Sequence, residues 1–219
     1  MPRQARNVFA HIPHHITQRG NRRNDVFFSD NDRKNYLKLL KRYCKTYRVD
    51  VLAYCLMTNH IHLILLPSTK DGLQNVLKPL HMRYAQQINK QNNWSGHLWQ
   101  GRFFSSALDA KYTYNAFRYV ENNPVRAKLV RKATDYKYSS ARHHCGLTVD
   151  KLITDYDIGV KQEEYEKYLK EFENQEEIII LRRNINKNLP CGSDKFIKKL
   201  SNIFGKDLAF RNIGRPKKG

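Results

Sequence analysis

Two short apolar runs set almost end to end put the tightest limit on what this chain can fold into. Val51 to Met57 and His60 to Leu66 are apolar and partly β-branched, and only Thr58-Asn59 breaks them apart. Both are of strand length, so two adjacent strands are predicted with no helix between them. Ala10 to Gln18 predicts an earlier strand, ending in the basic turn Arg19-Gly20-Asn21-Arg22-Arg23. Ser29 and Asp30 offer N-caps to a helix from about 31 to 47, whose apolar positions Leu37, Leu40, Tyr43, Cys44 and Tyr47 recur at three- and four-residue spacing. Leu73, Val76, Leu77, Leu80, Tyr84 and Ile88 trace a second stripe after the N-cap candidate Asp71, with Pro79 expected to kink or split that helix. A fourth strand is expected from Arg102 to Leu108, then a helix from Lys111 that must stop before Pro124. This order predicts an α+β fold: a ferredoxin-like antiparallel sheet with helices on one face, plus an added tyrosine-bearing helix.

The 219 residues suffice for one well-cored unit and a smaller appendage. Beyond about residue 131 the sequence turns polar. A charged helical stretch is expected from Lys161 to Phe172, a basic run at Arg182-Arg183, and an amphipathic segment carrying Phe196, Leu200 and Ile203. We read 131–219 as a basic, mainly helical extension ending in the cationic tail Gly214-Arg215-Pro216-Lys217-Lys218-Gly219.

Forty Lys and Arg against 20 Asp and Glu leave a formal charge of +20, which favours a polyanionic partner. Nucleic acid fits before an anionic membrane, because no apolar run nears the ~20 residues of a span. The N-terminal stretch lacks a signal-peptide core, so a cytoplasmic location is expected. Cys44, Cys55, Cys145 and Cys191 form no C-x-x-C pair and read as reduced thiols, not as a zinc or redox motif.

Two features could carry chemistry. In a strand, the period of two sends His60 and His62 to one face and Ile61, Leu63 and Leu65 to the other. Paired imidazoles suit Mn, Fe, Co, Ni, Cu or Zn, and a mixed nitrogen and oxygen site completed by water also admits Mg²⁺ or Mn²⁺; ordinary polar-face histidines are the bland alternative. On the last helix, Tyr119 and Asn123 are four residues apart and address one point, so the first could attack a phosphate while the second binds metal. Packing of that helix on the sheet is the structural alternative for its tyrosines.

Four stretches together resemble the REP-associated tyrosine transposases, a branch of the HUH single-strand transposases. They are His14 to Asn21, Met57 to Leu63, Gly96 to Phe103 and Tyr119 to Val130. The resemblance implies a catalytic domain over 1–130, with His60 and His62 as paired ligands of a divalent metal, Mg²⁺ or Mn²⁺, and Asn123 as third ligand where related enzymes carry Gln. It makes Tyr119 the nucleophile, with Tyr112, two turns earlier, as rival. It further implies attack on a single-stranded DNA phosphate, a 5′-phosphotyrosyl link, a free 3′-OH and re-ligation, on hairpins formed by palindromes. A monomer and a homodimer exchanging tyrosine helices are both compatible with it. The competing readings are a hairpin DNA or structured RNA binding protein that no longer cleaves, and a replication-initiator or relaxase-like enzyme.

For DNA binding, Arg19, Arg22, Arg23 and Arg102 suit phosphate contacts that position a strand. Trp99 and Phe103 could stack bases, with a core anchor as the alternative for Trp99. The tail with Arg215 resembles a minor-groove AT-hook, or else serves as an unstructured solubilising end. His97, His143 and His144 read as surface histidines.

Overall fold

The computed structural model describes residues 7–172 and 174–211. Strand β1 (His14–Arg19), helix α1 (Asp30–Tyr47), strands β2 (Val49–Leu56) and β3 (His60–Pro67), helix α2 (Gly72–Asn92) and strand β4 (Phe104–Ala107) follow in that order. The four strands form one sheet in the order β2-β3-β1-β4, and every neighbouring pair is antiparallel. That is the ferredoxin-like topology read from the sequence.

Local chemistry explains the boundaries. Ser29 accepts from the Asp32 amide, and the Asp32 carboxylate accepts from the Ser29 amide at 2.8 Å, a reciprocal cap that starts α1. β1 begins later than expected, since residues 10–12 form a turn in which His11 has a φ of 58°. β4 is also shorter, with Arg102 and Phe103 outside it. The expected interruption at Pro79 does not occur: α2 runs through it unbroken. Pro79 lacks the N–H that would bond the turn before it, but the buried stripe from Leu73 to Ile88 holds both halves against the sheet. Asp71 precedes α2 without a side-chain cap.

Alternation along the strands divides the sheet. Ile16, Ile61, Leu63 and Leu65 point to one face and share a core with α1 and α2. On the opposite face His15, Thr17 and Arg19 of β1 stand in register against Ile64, His62 and His60 of β3. Helix α3 (Ala110–Glu121), which carries the tyrosines, covers that face and is capped by Asp109, whose carboxylate accepts from the Tyr112 amide at 2.9 Å. It stops at Glu121, and the short helix α4 (Asn123–Arg126) starts with Pro124 in its first turn.

After residue 131 come α5 (Ala141–His144), α6 (Tyr165–Lys170), α7 (Gln175–Lys187) and α8 (Asp194–Phe204). The helix expected over 161–172 is confined to α6, preceded by a 3₁₀ turn. Ala133, Ala141, Tyr165, Tyr168, Leu169, Ile178, Leu181 and Cys191 complete the core against α3, so this segment is built onto the sheet's second face. Isolated bridges also tie Val51 to Ile153, Cys55 to Ser139 and Leu108 to Cys191. One polar joint is buried there. The fully buried Glu121 accepts from the Ser140 hydroxyl, from the Tyr165 hydroxyl at 2.9 Å and from His144 Nδ1 at 2.7 Å. His144 was expected at the surface, but its side chain is largely enclosed against Phe117 and Tyr165. The four cysteines are free thiols. No helix among the described residues is long and apolar enough to cross a membrane.

Candidate active site

A cleft of about 640 Å³ opens on the α3 face of the sheet, lined by Arg19, Arg23, His60, His62, Tyr119, Asn123, Arg126 and Arg182 among others. The sequence-predicted ligands and nucleophile therefore meet in one place. The His62 and Tyr119 rings touch edge to face, with centroids 5.7 Å apart, and His60 lies against His62 at 5.0 Å. Asn123 does not share a helix with Tyr119 as expected. The break at Asn122 places it at the head of α4, yet it lines the same cleft. Tyr112, the rival, is buried near Cys191, away from the cleft, and burial raises its pKa.

Buried imidazoles here are neutral. Burial, with Arg19 nearby, lowers His60 to about 4. His62 is driven well down by burial first, then by its coupling to His60 and His15, which disfavours charging neighbouring rings together, and by the positive fields of Arg126 and Arg19. His60 Nδ1 lies 2.6 Å from Asn59 Oδ1, which can only accept, so Nδ1 carries the proton and Nε2 keeps its lone pair. His62 Nδ1 lies 2.9 Å from His15 Nε2. If His15 Nε2 accepts in this pair, the His15 proton sits on Nδ1 and Nε2 of His62 is likewise left as a ligand atom. Acceptors on the far nitrogen are what orient metal-binding histidines, so this donor set fits a divalent cation. Among the described residues no three His, Cys, Asp or Glu side chains cluster to hold a metal; the Asn123 side chain lines the same cleft as His60 and His62.

Sequence reasoning missed three residues of the site. His15 is fully buried, lowered to about 3 by burial and by Arg126, and packs edge to face on Tyr119. Arg126 donates to the Tyr119 carbonyl and lies over its ring at 4.1 Å. Arg182, from α7, points Nε at the Tyr119 hydroxyl at 3.4 Å. The His15 signal was the β1 alternation, legible only once the register with β3 is known. No local pattern announces Arg182.

The DNA-binding candidates divide. Arg19 and Arg23 are exposed and line the cleft, and Arg22 is exposed beside them on a 3₁₀ turn. Arg22 and Arg23 both adopt left-handed backbone, with φ of 53° and 63°. The turn needs glycine at its start: a Cβ on Gly20 would lie 2.1 Å from the Asn24 carbonyl oxygen. Arg102 is exposed and lines an adjoining cleft that shares Gln18 and Gln100 with the first. Trp99 and Phe103 are instead core residues, 8% and 5% exposed. The Trp99 Nε1–H donates to the His81 carbonyl at 3.1 Å and its ring packs among Tyr36, His81 and Tyr84, so it is an anchor and not a platform for bases. Arg215 lies outside the described residues.

The chain is similar to known proteins. A family model described as IS200-like transposase matches residues 8–123, just over half of the chain. A Haemophilus influenzae chain described as a REP-associated tyrosine transposase is 29% identical over 111 residues, covering 46% of this chain; the match spans 63% of that relative's length. A solved structure of a REP-associated tyrosine transposase bound to a REP hairpin superposes with a TM-score of 0.53 at 18% identity, covering 73% of this chain and 94% of that one, and shows the shared fold. The matched segment holds β1, the His60 and His62 strand and the Tyr119 helix, and on it the chain belongs to the IS200-like transposase family.

Proposed function

We propose that this protein is a metal-dependent, single-tyrosine nuclease and strand transferase of the HUH type, acting in the cytoplasm on single-stranded DNA beside palindromic hairpins. The observation that carries the reading is the meeting of Tyr119 with His62 and Arg182 in one basic cleft. Mg²⁺ or Mn²⁺, held by His60, His62 and Asn123, would neutralise a non-bridging oxygen of the scissile phosphate.

The chain's own residues do the rest. Arg19, Arg22, Arg23 and Arg102 hold the backbone by charge and position the phosphate without reading sequence. His15 and Arg126 both pack on the Tyr119 ring, and Arg182 aims its hydroxyl. The tyrosyl oxygen, losing its proton, attacks phosphorus. The bond from phosphorus to the 3′ oxygen breaks, and that oxygen takes a proton and leaves as the 3′-OH. DNA stays linked through a 5′-phosphotyrosine, and attack by a 3′-OH reverses the step. Positioning of this kind supplies much of the rate in phosphoryl transfer. The cationic tail carrying Arg215 extends the reading to a contact with duplex DNA.

Purified protein and its Tyr119→Phe variant, mixed with labelled hairpin DNA from the gene's own flanks plus Mn²⁺ or Mg²⁺, test this on a denaturing gel. A covalent adduct is expected only with Tyr119 and only with metal. Tight hairpin binding without adduct in either protein would replace the nuclease with a binding module, and an adduct from the variant would transfer the role to Tyr112.

A further inference from the structure

Two half-exposed aromatic rings lie beside the cleft. Phe28 and Trp94 are 47% and 50% exposed, and their rings meet edge to face with centroids 5.3 Å apart at 80°. They border a polar hollow of about 550 Å³ that is also lined by Arg23, Asn24, Asp25 and His97. Arg23 lines this hollow and the candidate active cleft alike, so the two adjoin.

Both rings are presented by fixed backbone. Phe28 sits one residue before the N-cap of α1, where an apolar side chain commonly packs onto the fourth helical residue. That residue is Arg33, whose guanidinium covers Phe27 and Tyr138 instead, so Phe28 has no such partner and turns to Trp94. Its amide is tied to the Asp32 carboxylate at 2.9 Å. Trp94 follows the left-handed C-cap of α2 at Asn93, its amide donates to the Asn89 carbonyl at 2.8 Å, and the Asn89 side-chain amide donates to the Gly96 carbonyl at 3.0 Å. A φ of 96° at Gly96 permits the turn.

We infer that Phe28 and Trp94 form a subsite for one unpaired nucleobase of the DNA strand whose phosphate lies in the active cleft. The inference rests on the proposed function. Aromatic faces held half-open cost apolar exposure that a folded chain ordinarily hides, and stacking on a base recovers it. Arg23 at the junction supplies the charge that a backbone phosphate between the two sites requires. Asn24 and Asp25 bring amide and carboxylate groups to the edge of such a base, the carboxylate suited to an exocyclic amine. Trp99 and Phe103, the aromatics the sequence put forward, cannot serve, since both are in the core.

The test is an abasic scan. The protein carries Tyr119→Phe to prevent cleavage, and its affinity is measured for a hairpin DNA with an unpaired extension in which each extension nucleotide is made abasic in turn. One abasic position is expected to weaken binding about tenfold, the usual scale for a stacked base. Trp94→Ala should weaken binding to the intact DNA by a similar factor and abolish the sensitivity at that position, whereas Trp94→Phe should keep most of both. Sensitivity that persists unchanged in Trp94→Ala, or none at any position in the parent, overturns the subsite while leaving hairpin recognition standing. No binding to the hairpin at all would overturn the proposed function and the subsite together.

Discussion

Arg182 carries no mark in the sequence of what it does, since it sits in a basic run of a polar, charged segment. Only packing of α7 brings its Nε to the Tyr119 hydroxyl. Loss of that contact should misaim the proposed nucleophile: Arg182→Ala is expected to slow adduct formation roughly ten- to a hundredfold, the range for one hydrogen bond from a charged donor, with DNA affinity changed far less. Single-turnover adduct formation against separately measured binding checks the split; an equal loss in both would make Arg182 a phosphate contact only. That His60 and His62 share a face was legible because strand alternation acts locally, and Tyr119 lines the same cleft. His15 was not, because its worth depends on a partner 47 residues away across a register that the chain alone does not reveal. Trp99 misled for a related reason: composition shows an aromatic beside arginines but not which way its ring packs.

At the level of elements, helix and strand order followed from periodicity, while the interruptions did not. Pro79 was expected to break α2 and does not, since tertiary burial outweighs one missing hydrogen bond. The break that matters, at Asn122, moves Asn123 off the tyrosine helix, a shift that residue spacing on an ideal helix conceals. The joint between α3 and the later helices is likewise invisible locally, since Glu121 and His144 are far apart in sequence. Burial disfavours the charged form of His144, but the field and hydrogen bond of Glu121, helped by Asp155 and Asp150, outweigh it and raise its pKa above 6.5. A raised folded value means the joint stabilises fully below about 6.5 and loses that contribution as pH rises through the folded pKa. Thermal melts of the parent and His144→Gln across this window should show their difference in Tm narrowing as pH rises. A gap that stays constant or widens would show that the imidazolium charge contributes nothing.

For the whole molecule, Tyr119 meets the histidine pair of its own chain, so one chain contains every side chain of the proposed chemistry. A mixture of His60→Ala and Tyr119→Phe proteins should therefore form no adduct, each variant lacking a part the other cannot lend. Recovered activity on mixing would instead require helix exchange between chains. The surplus of positive charge favours a polyanionic partner from composition alone, and the ferredoxin-like sheet was readable from element order. How the polar C-terminal segment closes over the sheet was not, because the contacts that seat it, of α6 on α3 and of α7 on α3, β1 and β4, join residues far apart in sequence.

Since α7 brings Arg182 to the tyrosine from well beyond the family-matched residues, a chain still emerging from the ribosome contains the histidine pair and the tyrosine helix long before it owns the arginine that contacts Tyr119. On the proposed function, any step that needs Arg182 waits for α7 to dock, and a product that stops short of α7 keeps Tyr119 without that contact.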